Sequence, residues 1–259
     1  MAGLSRHVAE NRRHWDATAD RWVVAGERAW SRAEPTWGIW GVADADLSLL
    51  PADMSGLDAI ELGCGTGYVS AWMHRRGAAV CAVDISAEQL ATATRLAGVH
   101  EITDIDWVQC NAEAVPRPDA TFDFAISEYG AAIWCDPTTW IPEAHRLLRP
   151  GGRLVFLGHH PLAMVCMSPA GDEPAGMTLQ RPYFGLGQLD WTEAIEDPGG
   201  IEFNRTVSGW IELFDRTGFD IERYAEVQAP DEAEGQEFWM PAEWSQQYPS
   251  EQVWFLRKR

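Results

Sequence analysis

The fold is decided by the stretch Ala59-Ile60-Glu61-Leu62-Gly63-Cys64-Gly65-Thr66-Gly67, in which a short apolar run leads straight into alternating glycines. Such a stretch is typical of the first strand-to-helix turn of a doubly wound α/β sheet, where nucleotide-like ligands meet a helix N-terminus. Glycine is favoured there because a Cβ would hold a ligand off the backbone. We therefore expect a parallel sheet with a ligand site at this turn.

The chain around this stretch alternates short apolar runs with helix-length segments, which is the pattern of βαβ units. The runs predict strands over 59–62, 79–83, 105–108, 122–126, 153–157, 220–227 and 252–256, and the segments between and before them predict helices over 5–33, 44–50, 67–76, 87–97, 138–148 and 207–217. Residues 159–206 are rich in proline and glycine, show no clear helical or strand pattern, and are expected to form a lid or binding loop.

Composition narrows the class of protein. The chain has 259 residues, with 20 Lys and Arg against 39 Asp and Glu, a net charge of −19 and a pI near 4.6. This acidity argues against a nucleic-acid partner and against an anionic membrane surface. Charged residues interrupt positions 1–35, so we expect no secretory leader, and no apolar run reaches membrane-spanning length. Five widely spaced cysteines without a CxxC pair predict reduced thiols in the cytoplasm and no metal site.

We expect a single domain over 1–259, made of an N-terminal helical cap (1–50), a ligand-binding core (51–158), a substrate or lid insertion (159–206) and a C-terminal part of the sheet (207–259). Nine acids against one arginine between 220 and 252 predict a solvated acidic face.

Two further segments follow predicted strands at the same edge of the sheet. Asp84 ends the second run, where a carboxylate can accept hydrogen bonds from both hydroxyls of a ribose, and the segment 109–113 follows the third run. A dinucleotide fingerprint requires a small residue at position 68, and Tyr68 is too bulky for it. A nicotinamide-dependent dehydrogenase is therefore disfavoured.

Together, the segments ELGCGTG (61–67), AVDIS (82–86), VQCNAEAVP (108–116), FDFAISEYG (122–130) and LLRPGGRLVF (147–156) resemble the class I S-adenosylmethionine-dependent methyltransferase family. The resemblance is close over 57–158 and extends in pattern over 207–256. It implies a Rossmann-like methyltransferase fold: a doubly wound, mostly parallel seven-stranded sheet with helices on both faces and an antiparallel last strand. It also implies S-adenosyl-L-methionine as cofactor, and either a monomer or a homodimer.

The resemblance assigns the cofactor contacts by position. They are Glu61, Gly63, Cys64, Gly65 and Gly67 at the methionine end, Asp84 at the ribose, Ile85 against the adenine, Asn111, Ala112 and Glu113 at the adenine edge, and Ser127 below the sulfonium. The family more often has aspartate at position 111, but an amide oxygen also accepts a hydrogen bond from an adenine amino group. The segments around Trp15 and Trp37 resemble those that fold over the cofactor; ordinary helix packing is an equal alternative.

Methyl transfer from a sulfonium requires positioning and exclusion of water, and a base only where the acceptor holds its proton. His159 and His160 follow the fifth run and are candidate bases or, alternatively, structural caps. Glu128 and Tyr129, which follow the fourth run, are candidate contacts to the donor or the acceptor. The alternative is that both residues only contact the start of the next helix. A set of aromatic residues is expected to roof the acceptor site and to favour a flat, apolar or aromatic acceptor: Trp134, Trp140, Tyr183, Phe184 and Trp191.

The sequence therefore predicts a methyltransferase that acts on a small molecule. The alternative from another class is a non-catalytic S-adenosylmethionine-binding regulatory protein, which Asn111 and the lack of an unmistakable base permit.

Overall fold

A computed structural model describes residues 4–259, and its centre is a seven-stranded sheet. The helices are α1 (Arg6–Thr18), α2 (Val23–Trp30), α3 (Asp44–Leu47), α4 (Tyr68–Arg75), α5 (Ala87–Val99), α6 (Gly130–Trp134), α7 (Pro137–Leu147), α8 (Pro161–Cys166), α9 (Val207–Thr217) and α10 (Ala242–Ser245). The strands are β1 (Thr36–Trp37), β2 (Val42–Ala43), β3 (Asp58–Leu62), β4 (Ala79–Asp84), β5 (Asp106–Gln109), β6 (Phe122–Glu128), β7 (Leu148–His159), β8 (Gln188–Asp190), β9 (Ile201–Phe203), β10 (Phe219–Val227), β11 (Gln236–Glu237), β12 (Met240–Pro241) and β13 (Glu251–Lys258).

The strand order of the main sheet is β10-β13-β7-β6-β3-β4-β5. Strands β3 to β7 pair in parallel, and β13 runs antiparallel to both of its neighbours, β7 and β10. The chain moves outward from β3 to β5 and then returns to β6 on the other side. Ligands of open α/β sheets bind outside the carboxyl ends of the strands at such a reversal, so the site is expected between β3 and β6.

Apolar clusters cover both faces of this sheet. One face carries α4 and α5 together with Trp30 of α2, and the other carries α7 and α9 with their buried residues Trp140 and Trp210. The central strands β3, β4, β6 and β7 are largely buried on both sides, as the near-continuous apolar runs of a parallel sheet require, whereas the edge strands β5 and β10 are partly exposed. The predicted fold class is thus confirmed.

Three predictions of local structure were wrong. The N-terminal helix is not continuous over 5–33, because a 3₁₀ turn over Ala19–Trp22 separates α1 from α2. Helix α3 ends at Leu47 rather than at residue 50, since Ser48 takes a left-handed conformation (φ 53°) and the amide of Leu49 donates to Asp44 Oδ1 at 2.9 Å. The segment 159–206 contains regular structure after all, namely α8 and the antiparallel pair of β8 and β9.

The end of β3 lies against the start of α6 more closely than any side chain would permit. Gly63 has φ +79°, and a Cβ built on it would lie 2.6 Å from Gly130 Cα. The turn after the first strand and the turn after β6 therefore meet backbone to backbone. This contact brings the two ligand-facing turns together.

We expect Gly63→Ala to destabilise the fold by about 3 kcal/mol, since it adds a steric overlap to the cost of a left-handed alanine. Gly56→Ala is the matched control: its φ is +77°, but nothing lies within 4 Å of the added Cβ, so it should cost only about 1 kcal/mol. Urea unfolding of both variants measures the difference. Equal losses of unfolding free energy in the two variants would show that the close approach of Gly63 to Gly130 contributes nothing to the cost.

Candidate active site

A cavity of about 660 Å³ opens at the carboxyl edge of the sheet. Its floor is the turn after β3 with the ends of β4, β6 and β7. Its roof comes from the N-terminal helices and the insertion, which are tied together where Asn11 exchanges hydrogen bonds of 2.9 and 2.6 Å with the backbone of Ile201 on β9. The cavity is lined by these predicted site residues: Trp15, Glu61, Gly63, Cys64, Gly65, Asp84, Ile85, Asn111, Ala112, Glu128 and His159.

The turn after β3 is held by the carboxylate of Asp84. The amide of Gly65 donates to Asp84 Oδ2, and the amide of Ser86 donates to Oδ1, each at 2.8 Å. A carboxylate accepts about four hydrogen bonds, so two positions remain for a ligand. Burial raises the pKa of Asp84, and the hydrogen bonds from Ser86 and Gly65 oppose that rise.

The three glycines of the turn serve different purposes. A Cβ on Gly65 would meet only Gln89 Oε1, at 4.0 Å, so its open side is left for a ligand. Gly63 is required by the contact with Gly130, and Gly67 packs against the ring of Trp107 and lies outside the cavity lining. Gly63 and Gly65 therefore line the cavity, whereas Gly67 lies outside it and serves packing.

Asn111 and Glu113 have different roles after β5. Asn111 faces the cavity, and its Oδ1 accepts from the amide of Glu113 at 3.0 Å. The Glu113 side chain points elsewhere: Oε1 accepts from the amide of Asp136 at 2.7 Å and lies 2.7 Å from His7 Nε2. Glu113 therefore joins α1 to the start of α7.

Two more predicted site residues lie beneath or beside the cavity rather than in its lining. Ser127 Oγ donates to the carbonyl of Leu62 at 2.7 Å and accepts from the amide of Ala132 at 3.1 Å, which ties β6 to β3 and α6. His160 caps α8: its Nδ1 accepts from the amide of Leu162 at 3.0 Å, and its Nε2 lies 3.2 Å from Glu226. The placement of His160 matches the alternative that it is a structural cap and not a base.

Buried carboxyl groups dominate the end of the cavity near β6 and β7. Glu128 Oε1 accepts from the amide of Gly38 at 3.0 Å, and Oε2 accepts from the hydroxyl of Tyr68. Glu61 accepts from the hydroxyl of Ser70. Burial raises the pKa of Glu128 and raises that of Glu61 well above its usual range.

A third buried acid, Glu251, was missed by sequence reasoning. It begins β13 and is fully buried, and its Oε1 accepts from the hydroxyl of Tyr129 at 2.6 Å and from the amide of Ile39 at 3.0 Å. Burial raises the pKa of Glu251 to about 7, against the lowering effect of these hydrogen bonds. The sequence did contain a signal for Glu251. An antiparallel last strand begins at the edge where the other strands end, and Glu251 precedes the apolar run of that strand.

The aromatic residues predicted to roof the acceptor site fall into two groups. Trp134 and Trp191 line the cavity. Trp140 is instead fully buried in the core, with its ring 5.2 Å from Phe156. Tyr183 and Phe184 lie outside the lining, and Phe184 is 85% exposed.

The mouth of the cavity has an aromatic contact that the sequence did not reveal. The rings of Trp22 and Phe238 stack 5.6 Å apart at an angle of 5°. Phe238 and Trp239 form the two-residue turn between β11 and β12 with φ of 43° and 70°. Bulky residues rarely adopt such values, and these two do so where they cover the site.

Within residues 4–259, no helix has the length and apolar character needed to cross a membrane. Nor does that part of the chain gather three or more His, Cys, Asp or Glu side chains in a metal-binding arrangement.

Comparisons with known proteins agree with this geometry. A family profile described as a methyltransferase domain matches residues 60–156. A malonyl-[acyl-carrier protein] O-methyltransferase from Enterobacter lignolyticus is 37% identical over 115 residues, which are 44% of this chain and 43% of that protein. A ubiquinone/menaquinone biosynthesis C-methyltransferase from Xanthomonas axonopodis pv. citri is 30% identical over 181 residues, 68% of this chain and 65% of that protein. The chain thus spans less than two thirds of the length of either relative.

A solved structure extends the similarity over most of the fold. An S-adenosylmethionine dependent methyltransferase from Mesorhizobium loti superimposes with a TM-score of 0.65 at 26% identity, over 85% of this chain and 100% of that one.

The sheet order, the glycine turn and the profile match define a class I S-adenosylmethionine-dependent methyltransferase fold. The chain belongs to the class I S-adenosylmethionine-dependent methyltransferase family, whose methyl donor is S-adenosyl-L-methionine. The family and cofactor predicted from the sequence are confirmed.

The cavity fits this cofactor. Gly65 leaves open space where the backbone must approach a ligand, and Asp84 keeps two acceptor positions free. The volume of about 660 Å³ falls inside the range of about 300 to 1,000 Å³ that ligand pockets occupy.

The buried Glu251 makes stability depend on pH. Its carboxyl group has a pKa of about 7 in the folded chain and about 4.3 in the unfolded chain, so folding favours the protonated form. The contribution of Glu251 to the free energy of unfolding is greatest below the pKa of the unfolded chain. It is lost as the pH rises through the pKa of the folded chain. Glu251→Gln cannot ionise; its free energy of unfolding relative to the parent chain should rise by roughly 2 to 3 kcal/mol between pH 5 and pH 8.

Denaturant titrations at the two pH values measure this difference. Glu243→Gln, at an exposed position, is the control and should show no such trend. A pH-independent difference for Glu251→Gln would contradict the raised pKa.

Proposed function

We propose that the chain transfers a methyl group from S-adenosyl-L-methionine to a small-molecule acceptor of apolar or aromatic character, by in-line displacement. The observation that carries this proposal is that the lining of one cavity includes both the turn at Gly65 with Asp84 and the pair of His159 and Glu128. Donor and acceptor then share one cavity. Holding two reactants in this way supplies a large part of the rate of a bimolecular reaction.

In this proposal the chain holds the cofactor at three places. Asp84 accepts the ribose hydroxyls with its two free positions, and Ile85 packs against the adenine. Asn111, which lines the cavity, accepts a hydrogen bond from the adenine amino group through its amide oxygen. Bound there, S-adenosyl-L-methionine supplies an activated methyl group, so that the chain itself need only position the acceptor and exclude water.

Tryptophan side chains support an apolar or aromatic acceptor. Trp134 and Trp191 line the cavity on the insertion side, together with Trp40 and Trp239. Flat aromatic walls bind flat apolar ligands through large contact areas. By their names, one relative described above methylates malonyl-[acyl-carrier protein] and the other acts in ubiquinone/menaquinone biosynthesis.

The same proposal gives a role to the parts of the domain. Residues 1–50 and 159–206 form the roof, 51–158 bind the cofactor, and 207–259 complete the sheet and the wall of the acceptor site. The hydrogen bonds between Asn11 and Ile201 support a common function of the first two parts.

Asp84→Asn should weaken binding of S-adenosylhomocysteine about 10- to 100-fold, because one of two charged acceptors becomes a donor. Isothermal titration calorimetry measures the dissociation constant. Asp231→Asn, at an exposed position, is the matched control and should bind as the parent chain does. Unchanged binding by Asp84→Asn would remove Asp84 from the cofactor site.

Turnover is tested with S-adenosylmethionine labelled in the methyl group and the small-molecule fraction of a cell extract. An enzyme should yield a labelled small molecule. Saturable binding with no labelled product would instead indicate a regulatory protein.

A further inference from the structure

We propose that Glu251 is the positioning residue for His159, that the two side chains share one proton, and that His159 uses this pair to take the proton of an acceptor hydroxyl group. The inference rests on the proposed methyl transfer and deepens it, because it names the acceptor class: a molecule with an ionisable hydroxyl. Glu251 was not among the candidates from the sequence.

The two residues face each other across neighbouring strands. Glu251 of β13 is the direct partner of His159 of β7 in the antiparallel register. Side chains at directly opposed positions have Cβ atoms about 4.5 to 5.5 Å apart and lie on the same face of the sheet. Imidazole and carboxyl groups are therefore held as neighbours by the backbone itself.

Each of the two side chains has a buried polar atom without a partner among the described residues. These atoms are His159 Nδ1 and Glu251 Oε2. An unpaired buried donor or acceptor costs free energy, and such atoms in native proteins call for an explanation. A proton held between an imidazole nitrogen and the opposed carboxyl group would satisfy both atoms once side-chain rotation brings them within hydrogen-bond distance.

Tyr129 fixes this arrangement. Its hydroxyl donates to Glu251 Oε1 at 2.6 Å, and its ring lies edge-on to the imidazole of His159 with centroids 5.0 Å apart. Glu251 Oε1 is thus occupied by Tyr129 and by the amide of Ile39, which leaves Oε2 as the atom free to serve His159.

The opposite ring nitrogen of His159 is directed to the site. His159 lines the cavity, and its Nε2 lies 3.8 Å from Oε1 of Glu202, another cavity-lining residue. This separation is too long for a hydrogen bond. The acceptor hydroxyl would bind between these two groups, with its oxygen near Nε2.

The chemistry follows from the tautomer. With Nδ1–H directed to the Glu251 carboxylate, Nε2 carries a lone pair and accepts the hydroxyl proton. The hydroxyl oxygen forms the new bond to the methyl carbon, the carbon–sulfur bond breaks, and its electron pair remains on sulfur. The proton stays on the imidazolium, which the negative charge of Glu251 stabilises, until it is released to solvent.

The groups around the pair support a shared proton near neutral pH. Glu128 and Glu202 add negative charge near Tyr129. His159 lowers the pKa of Glu251, but burial outweighs this effect and raises that pKa to about 7. His160, which follows β7 and caps α8, faces Glu226 at 3.2 Å and forms a separate pair. That second pair provides a control.

Nuclear magnetic resonance of imidazole nitrogens tests the pair without any methyl transfer. The protein is labelled with ¹⁵N-histidine, saturated with S-adenosylhomocysteine and titrated from pH 5 to pH 9, with signals assigned from His159→Gln and His160→Gln. The His159 signals of the parent chain should show the remaining ring proton on Nδ1 at high pH, and their dependence on pH should differ in Glu251→Gln. Glu226→Gln should alter His160 alone.

The second measurement is the pH profile of turnover, with the small-molecule fraction that becomes labelled in the extract experiment. Activity of the parent chain should rise with pH as Nε2 of His159 loses its proton, while the proton between Nδ1 and Glu251 is retained. Glu251→Gln should move this rise to lower pH and reduce the maximal rate about 10²-fold, whereas Glu226→Gln should leave both unchanged. Mass spectrometry should identify the product as an O-methyl compound.

A His159 titration that is the same in the parent chain and in Glu251→Gln would overturn the pair. A coupled titration with an unchanged pH profile, or an N- or C-methylated product, would overturn its role in the reaction. If the parent chain yields no labelled product at all, the proposed function fails, while the resonance titration still decides whether the pair exists.

Discussion

The close approach of two backbone turns is the constraint on which the rest of the site depends. Gly63 and Gly130 meet where β3 and β6 end, and neither position has room for a side chain. This contact sets the glycine turn directly beside Glu128 and Tyr129, which the proposed function assigns to the acceptor side. A sheet of the same strand order with larger residues at these positions would hold the two turns apart, and its cavity would be divided.

The central strands of the sheet were predictable because they are buried on both faces, so that each gives a short apolar run. Helix α9 was predicted with its observed bounds, since Thr206 caps its start and Gly218 ends it. The N-terminal helix was predicted too long because periodicity continues through Ala19–Trp22 although the backbone tightens there. The insertion was unpredictable from local pattern, because β8 and β9 are three-residue strands stabilised by tertiary contacts such as that of Asn11.

The residues of the candidate site also divide into those that the sequence predicted and those that it did not. Asp84, Asn111 and the glycine turn were found because they follow predicted strands, and their positions need only the topology. Glu251 and Glu202 lie far along the chain, on strands whose register the sequence does not reveal. His159 and His160 are adjacent in sequence, and only the structure shows that one faces the cavity while the other caps a helix.

The aromatic stack of Trp22 on Phe238 joins the first helices to a hairpin near the far end of the chain. Glu251, on the last strand, likewise anchors the segment at Ile39 that covers the cavity. Enclosure therefore requires residues as distant along the chain as Ile39 and Glu251, so the cavity can close only after the segment up to β13 has left the ribosome. A nascent chain can fold its central strands earlier, yet its cavity remains open to water until then.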